Sequence, residues 1–321
     1  MKESLYKDAI LSSFHFAWKQ KALWVFGLLA AILGQMGVVD FVTKVLKIGV
    51  TDSTTKILLF PAYVRSGDWS LLFGNTKMTV SFIFLVVLLL CIFGLLIYAS
   101  VSAQGAIIHN VSKAIKGKDH VDLGKSWKVG VKHSGRLFFL NVIKKIVLFA
   151  SSIILGIFIF ALSLDYTNYT FAVYIFLFVI LALISLITTV LTIYSAGYVV
   201  VEEYRLFTAI KAAWKLFWSH WLVSLEVGFI ILLSEIFVLI MAVWGVSILF
   251  LPTMMIWFLS LVSLSSSLWT AGTTIAMILS TAYVMFLGAF FTVFATSVWT
   301  FLFMKMHKEG IASRLLRIFR K

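Results

Sequence analysis

The stretch Asp119-His120-Val121-Asp122-Leu123-Gly124-Lys125-Ser126 ends in the Gly-Lys-Ser of a phosphate-binding loop. Such a loop needs a glycine at its first position and a hydrophobic strand before it, so that backbone N–H groups can close around the phosphates. Asp119 stands where that glycine should be, its carboxylate would repel phosphate, and no strand pattern precedes it. The segment reads instead as a polar turn opening an amphipathic helix. His120, Asp122 and His133 share the same connector, but their spacing matches no standard metal site and no fourth ligand is evident. They read as a solvated loop. His15, His109, His220 and His307 fall at expected membrane interfaces, where a wet imidazole needs no special role. The chain has no Gly-x-Ser-x-Gly and no His-Glu-x-x-His, and its one cysteine, Cys91, lies in an apolar run. No enzyme, metal or cofactor is expected.

Two carboxylates carry more information. Counted from Trp221 at about 1.5 Å per residue, Glu226 lies about 7 Å and Glu235 about 21 Å along an apolar helix. At the second depth an ionised carboxylate is costly, so Glu235 must be protonated, paired or beside water. Nine residues at 100° each put the two acids on opposite faces. Gly228 and Ala242 share the Glu235 side; Ile230, Leu233 and Phe237 share the other. Glu235 is thus expected to face the helix bundle and Glu226 to reach back to the interface. Small and hydroxylated residues at spacing four (Gly272, Ala276, Ser280, Gly288, Thr292, Thr296, Thr300) and a cluster from Ser185 to Ala196 suit close helix contact. A polar path for a proton or small solute is the alternative reading, weighted below packing.

The elements that hold these residues follow from composition. In 321 residues, 62% are hydrophobic and 12% charged, which excludes a soluble enzyme, a disordered chain and a disulfide scaffold. Apolar runs long enough to cross about 30 Å of hydrocarbon occur at 22–39, 79–104, 146–164, 171–201, 221–250 and 273–304. With the N-terminus inside, the cytoplasmic segments hold 22 of the 27 Lys and Arg residues; Lys44, Lys47, Lys56, Arg65 and Lys77 lie in the first external loop. Both termini are therefore expected in the cytoplasm. Residues 246–272 are apolar enough for a seventh crossing, but that would put the basic tail outside. A helix ended by Pro252, then an interfacial or re-entrant stretch, is expected instead.

Three segments, 9–24, 122–139 and 209–224, precede outward-going spans and set bulky residues four apart: Phe14 with Trp18, Trp127 with Val131, Trp214 with Trp218. Each is followed by a polar pair. The pattern predicts an amphipathic helix in the headgroup layer before each hairpin, with the aromatics as anchors. Lys19 and Lys21 before an apolar run with Ala30 and Ala31 also resemble a cleaved signal; the repeat makes that segment part of the fold and a retained helix is expected. The fold class is then all-α, a polytopic transmembrane bundle of about six spans in one integral domain (1–321). Its hairpin units are 1–112, 113–201 and 202–321.

The stretches AIKGKDHVDLGKSWKVGVKHSGRLFFLNVI (114–143) and VVVEEYRLFTAIKAAWKLFWSHWLVSL (199–225) resemble the cytoplasmic linkers of bacterial six-helix proteins. Those proteins are related to the membrane domain attached to some glycerophosphodiester phosphodiesterases. The resemblance covers most of the chain and implies a six-helix fold in a bacterial inner membrane. It implies no phosphodiesterase activity, because that chemistry belongs to a separate soluble barrel.

A net charge of +14 is spread along span flanks rather than gathered on one soluble surface, so no nucleic-acid partner is expected. Anionic lipid headgroups are the expected partners of Lys19, Lys21, Lys125, Lys128, Lys132, Arg136, Lys144, Lys145, Lys211, Lys215, Arg314, Arg317 and Arg320. Three functions follow as expectations: a non-enzymatic protein that organises, senses or moves lipids or another amphiphile; a secondary transporter or channel coupled to protons through Glu235; or a membrane anchor for a separate protein partner.

Overall fold

In hydrocarbon every backbone N–H and C=O must be satisfied within its own segment, so long apolar runs form helices. The computed structural model describes residues 6–32, 76–117, 122–164 and 168–308. These form eight helices: α1 (Tyr6–Lys19), α2 (Leu23–Ile32), α3 (Thr76–Ile115), α4 (Leu123–Leu164), α5 (Asn168–Val201), α6 (Leu206–Ser219), α7 (Trp221–Ser263) and α8 (Ser266–Lys308). There is no strand among the described residues. Helices α3, α4, α5, α7 and α8 are long and apolar enough to cross a membrane, and they contain five of the six expected spans. The remaining one, 22–39, is described as far as Ile32, as α2; its other residues lie outside the described ones.

Helix α7 has 43 residues, about 64 Å at 1.5 Å per residue and twice the thickness of hydrocarbon. Helix α3, at 40 residues, shows what the extra length does. Its first part exposes Phe84, Leu90 and Leu95, a surface that suits lipid, while Ser100, Ser102, Gln104 and Asn110 further along are buried in protein contacts.

The chain divides into two compact units, residues 1–27, 101–237 and 293–321 in one, 28–100 and 238–292 in the other. The division cuts through α3, α7 and α8. In the first unit α3 crosses α4 at Gly105 and Gly130, where a Cβ on Gly105 would lie 3.0 Å from the Gly130 Cα. Hydrogen bonds flank the crossing: Ser126 Oγ donates to Asn110 Oδ1 (2.8 Å) and Asn141 Nδ2 to Gln104 Oε1 (3.1 Å). In the second unit α7 and α8 form a hairpin. Trp257 stacks on Trp269 at 5.3 Å, and its Nε1 donates to Thr273 Oγ1 (3.3 Å). The Tyr283 ring lies against Gly245, and its hydroxyl donates to the Met241 carbonyl (3.0 Å).

Two expectations are corrected here. Pro252 does not end a helix: α7 runs through it to Ser263, so residues 246–272 comprise the closing part of one helix, a turn and the start of the next. Proline removes one N–H, a loss that long apolar helices tolerate. The missing N–H would have met the Ile248 carbonyl, and the helix continues on both sides of that one lost bond. The break comes at Leu264, with φ 51°, where Ser265 N–H returns to the Ser260 carbonyl (3.1 Å) and Ser260 Oγ donates to the Ser265 carbonyl (2.7 Å).

The second correction concerns residues 122–139, which are the opening part of continuous α4 and not a separate interfacial helix. The first and third repeats do break, after Lys19 and at His220, whose N–H bonds both the Leu216 and Phe217 carbonyls at 3.1 Å. In the middle repeat the equivalent stretch is held against α3 by Gly130, and the helix continues.

Candidate functional site

The repeat reappears as a burial pattern. Small residues four apart face inward: Ala9, Ser13 and Ala17 in α1, Ser126 and Gly130 in α4, Ala209 and Ala213 in α6. Their size lets each helix lie close to its neighbours. Bulky residues then point away, with Phe14 and Trp18 exposed on α1 and Phe207, Trp214 and Trp218 on α6. Trp127 departs from this. It is half-buried and stacks on Phe26 at 5.8 Å, so it packs within the protein where an outward anchor was expected.

Among the expected lipid contacts, Lys19, Lys21, Lys125, Lys128, Lys132, Lys145, Lys211 and Lys215 are exposed and Arg136 is half-exposed. Lys144 is 8% exposed and therefore not available to a lipid surface. Its neighbour Lys145 takes the outer side of α4, which a run of two lysines does not reveal. Arg314, Arg317 and Arg320 lie outside the described residues, as do Asp119 and His120. Glu226 and Glu235 are both half-buried. Glu235 continues the buried row Val223, Val227, Ile231, whereas Glu226 has its Oε2 enclosed. Several hydroxyls of the small-residue stripes turn back onto their own helices: Thr192 Oγ1 donates to the Thr188 carbonyl (2.8 Å) and Thr300 Oγ1 to the Thr296 carbonyl (2.8 Å).

The most organised polar cluster lies at the end of α5. The helix closes with Tyr204 N–H on the Tyr198 carbonyl (3.2 Å), Glu203 in the left-handed region at φ 57°, and the Tyr198 and Tyr204 rings stacked at 5.4 Å. The left-handed seat after a helix end is usually glycine. A glutamate there carries backbone strain that its neighbours must offset. Lys132 Nζ donates to Glu203 Oε1 (2.7 Å), and Arg136 Nη1 donates to the carbonyls of Glu203 and Tyr204 (3.2 Å each). His133 is 1% exposed, its Nε2 is 4.0 Å from the same Oε1, and neither ring nitrogen has a hydrogen-bond partner among the described residues. On the other side Tyr198 Oη meets His307 Nδ1 (3.3 Å), and His307 Nε2 lies 3.8 Å from Glu202 Oε1. Phe303 stacks on His307 at 5.8 Å and meets Tyr198 edge-on at 4.8 Å. Residues of α4, α5 and α8 thus converge on one turn.

The Lys132 hydrogen bond and charge, helped by His133 and Arg136, hold the Glu203 carboxyl below the usual range. Asp122 is lowered too, mainly because it accepts the Lys125 N–H (3.1 Å) at the start of α4. A carboxylate depressed by folding stabilises the protein above its unfolded value, near 4, and this contribution is lost as pH falls through the folded value. The carboxylate share of the thermal midpoint of solubilised protein is expected to be level from about pH 7 to 5 and to decline below about pH 4.5, on top of an earlier loss as pH falls through about 6.5, where burial keeps His109 and His133 harder to protonate in the fold than in the unfolded chain. Glu203→Gln should make the decline shallower, and an unchanged slope would remove Glu203 as a contributor.

Sequence reasoning passed over Glu203, Arg136 as a turn clamp, and the burial of His133. One signal was available: Glu202-Glu203 is an acidic pair directly after a long apolar run, in a chain with 13 acids against 27 bases.

Comparison with protein-family models, curated proteins and solved structures finds no match. Fold and composition define a class: among the described residues the protein is all-helical, with five helices suited to crossing a membrane.

Proposed function

We propose that the chain is a non-enzymatic integral protein of a bacterial inner membrane, with six spans in three hairpins and both termini cytoplasmic, that organises, senses or moves lipids or another amphiphile. One observation carries this reading. Helices α1 and α6, each directly before an apolar helix, bury small residues and expose aromatic rings beside lysines, including Trp214 and Trp218 with Lys211 and Lys215. Indole rings suit the headgroup layer, and lysines reach the phosphates beyond it. The resemblance of 114–143 and 199–225 to the linkers of six-helix membrane proteins supports the same reading.

Native mass spectrometry of gently extracted protein tests it. Each lysine near an anionic leaflet contributes about 1 kcal/mol, so Lys211→Gln with Lys215→Gln is expected to reduce retained anionic lipid roughly 30-fold, and added salt should act in the same direction. Retention of no lipid, or of lipid without regard to charge, would overturn the reading. The place of Glu235 on a buried row favours one alternative, a carrier coupled through that acid. It predicts a non-lipid ligand lost in Glu235→Gln.

A further inference from the structure

The turn at the end of α5 gathers more hydrogen-bond donors than the Glu203 carboxylate can use. Glu203 Oε1 faces Lys132 Nζ at 2.7 Å and His133 Nε2 at 4.0 Å, so a single acceptor position already has donors on two sides. His133 is enclosed by protein with both ring nitrogens unpartnered among the described residues, a costly state for a buried imidazole. Arg136 spends Nη1 on two carbonyls and makes no other hydrogen bond among the described residues. On α3, His109 is within electrostatic reach of His133, and Lys113 and Lys116 add positive charge near His109. The other carboxylate of the turn, Glu202, faces His307.

We propose that this turn is an oxyanion site in its closed form, with Glu203 as an internal stand-in for a phosphate group, either of a lipid headgroup or free. A carboxylate offers two oxygens in one plane and reaches Lys132 alone at hydrogen-bond distance. A phosphate offers tetrahedral acceptors that can meet Lys132, His133 and Arg136 together, the donor types that recognise it best. Release of Glu203 is inexpensive, because its side chain is 62% exposed and swings into water. The site rests on the reading that the protein handles anionic lipid and gives that reading a location.

The test compares full-length wild type with Glu203→Gln, Lys132→Gln, Arg136→Gln and the charge-preserving Lys132→Arg. One arm is native mass spectrometry from micelles doped with phosphatidylglycerol or phosphatidylcholine; the other titrates inorganic phosphate and follows the thermal midpoint. Glu203→Gln removes the competitor and is expected to tighten binding about tenfold, while Lys132→Gln and Arg136→Gln weaken it about tenfold. Lys132→Arg should bind like wild type. Glu203→Gln and Lys132→Gln break the same ion pair, so a purely structural pair would shift both variants in the same direction. Opposite shifts toward phosphatidylglycerol establish a lipid headgroup site; opposite shifts in the phosphate arm alone establish a site for free phosphate. Shifts of one sign, or none, in both arms overturn the site. If wild type still prefers phosphatidylglycerol in that case, the lipid reading survives without it. Absence of that preference in every form defeats the lipid reading, and the phosphate arm still decides the site.

Discussion

Gly130→Ala is expected to lower stability by about 3 kcal/mol, the upper end of overpacking penalties. The added Cβ would fall onto the Ser102 carbonyl oxygen and 3.0 Å from Ala106 N, both backbone atoms of α3. A crowded side chain can change rotamer; a crowded backbone cannot, so α3 and α4 must separate. Separation stretches the Ser126–Asn110 and Asn141–Gln104 hydrogen bonds on either side of the crossing. The intrinsic gain of about 1 kcal/mol from replacing a mid-helix glycine by alanine is too small to compensate. The same helix supplies the controls. Gly135 and Gly156 have nothing within 4 Å of an added Cβ, so Gly135→Ala and Gly156→Ala should be neutral or mildly stabilising. Thermal midpoints of the purified variants decide the matter, and equal behaviour of Gly130→Ala and Gly135→Ala would show that the close crossing is absent.

The contrast among these glycines marks where sequence reading succeeds and stops. Long apolar runs are legible because length and charge depletion leave few alternatives, and α3, α5 and α8 contain their expected spans. Pro252 is a poor guide to a helix end here, because an interior proline costs one hydrogen bond and the long apolar helix on both sides absorbs it. In residues 122–139 a pattern of aromatics and lysines marks an amphipathic segment without marking where the helix ends. A break is local, as at His220, whereas the middle repeat runs on as one helix that lies close against α3 at Gly130. Trp127 and Lys144 show the same limit, since their types suit an interface and only their packing takes them inside. The row Ala9, Ser13, Ala17 and its counterpart Ala209, Ala213 could have been read at spacing four. The meeting of Lys132 with Glu203, 71 residues away in sequence, could not, because nothing local indicates which helix end receives which lysine.

Phe303→Ala is expected to have the second large effect, a loss of about 3–5 kcal/mol typical of a fully buried aromatic. Phe303 is 1% exposed and sits at the centre of the turn cluster, against Tyr198, His307 and Gly197. Gly197 has no side chain because the ring takes its space: a Cβ there would lie 3.0 Å from two Phe303 ring carbons. Truncation therefore leaves a void bounded by bare backbone on one side, and the dispersion contacts are lost whether the unfolded chain is referred to water or to lipid. The consequence reaches the site through the two rings that lean on Phe303. Tyr198 carries the carbonyl that closes α5, and His307 holds the Tyr198 hydroxyl. Loosening both should free Glu203 from its left-handed seat. Phe303→Leu fills part of the void and is expected to lose less than half as much. If Phe303→Ala instead melts within a degree or two of wild type, the packing that joins α5 to α8 at this turn is not what holds it closed.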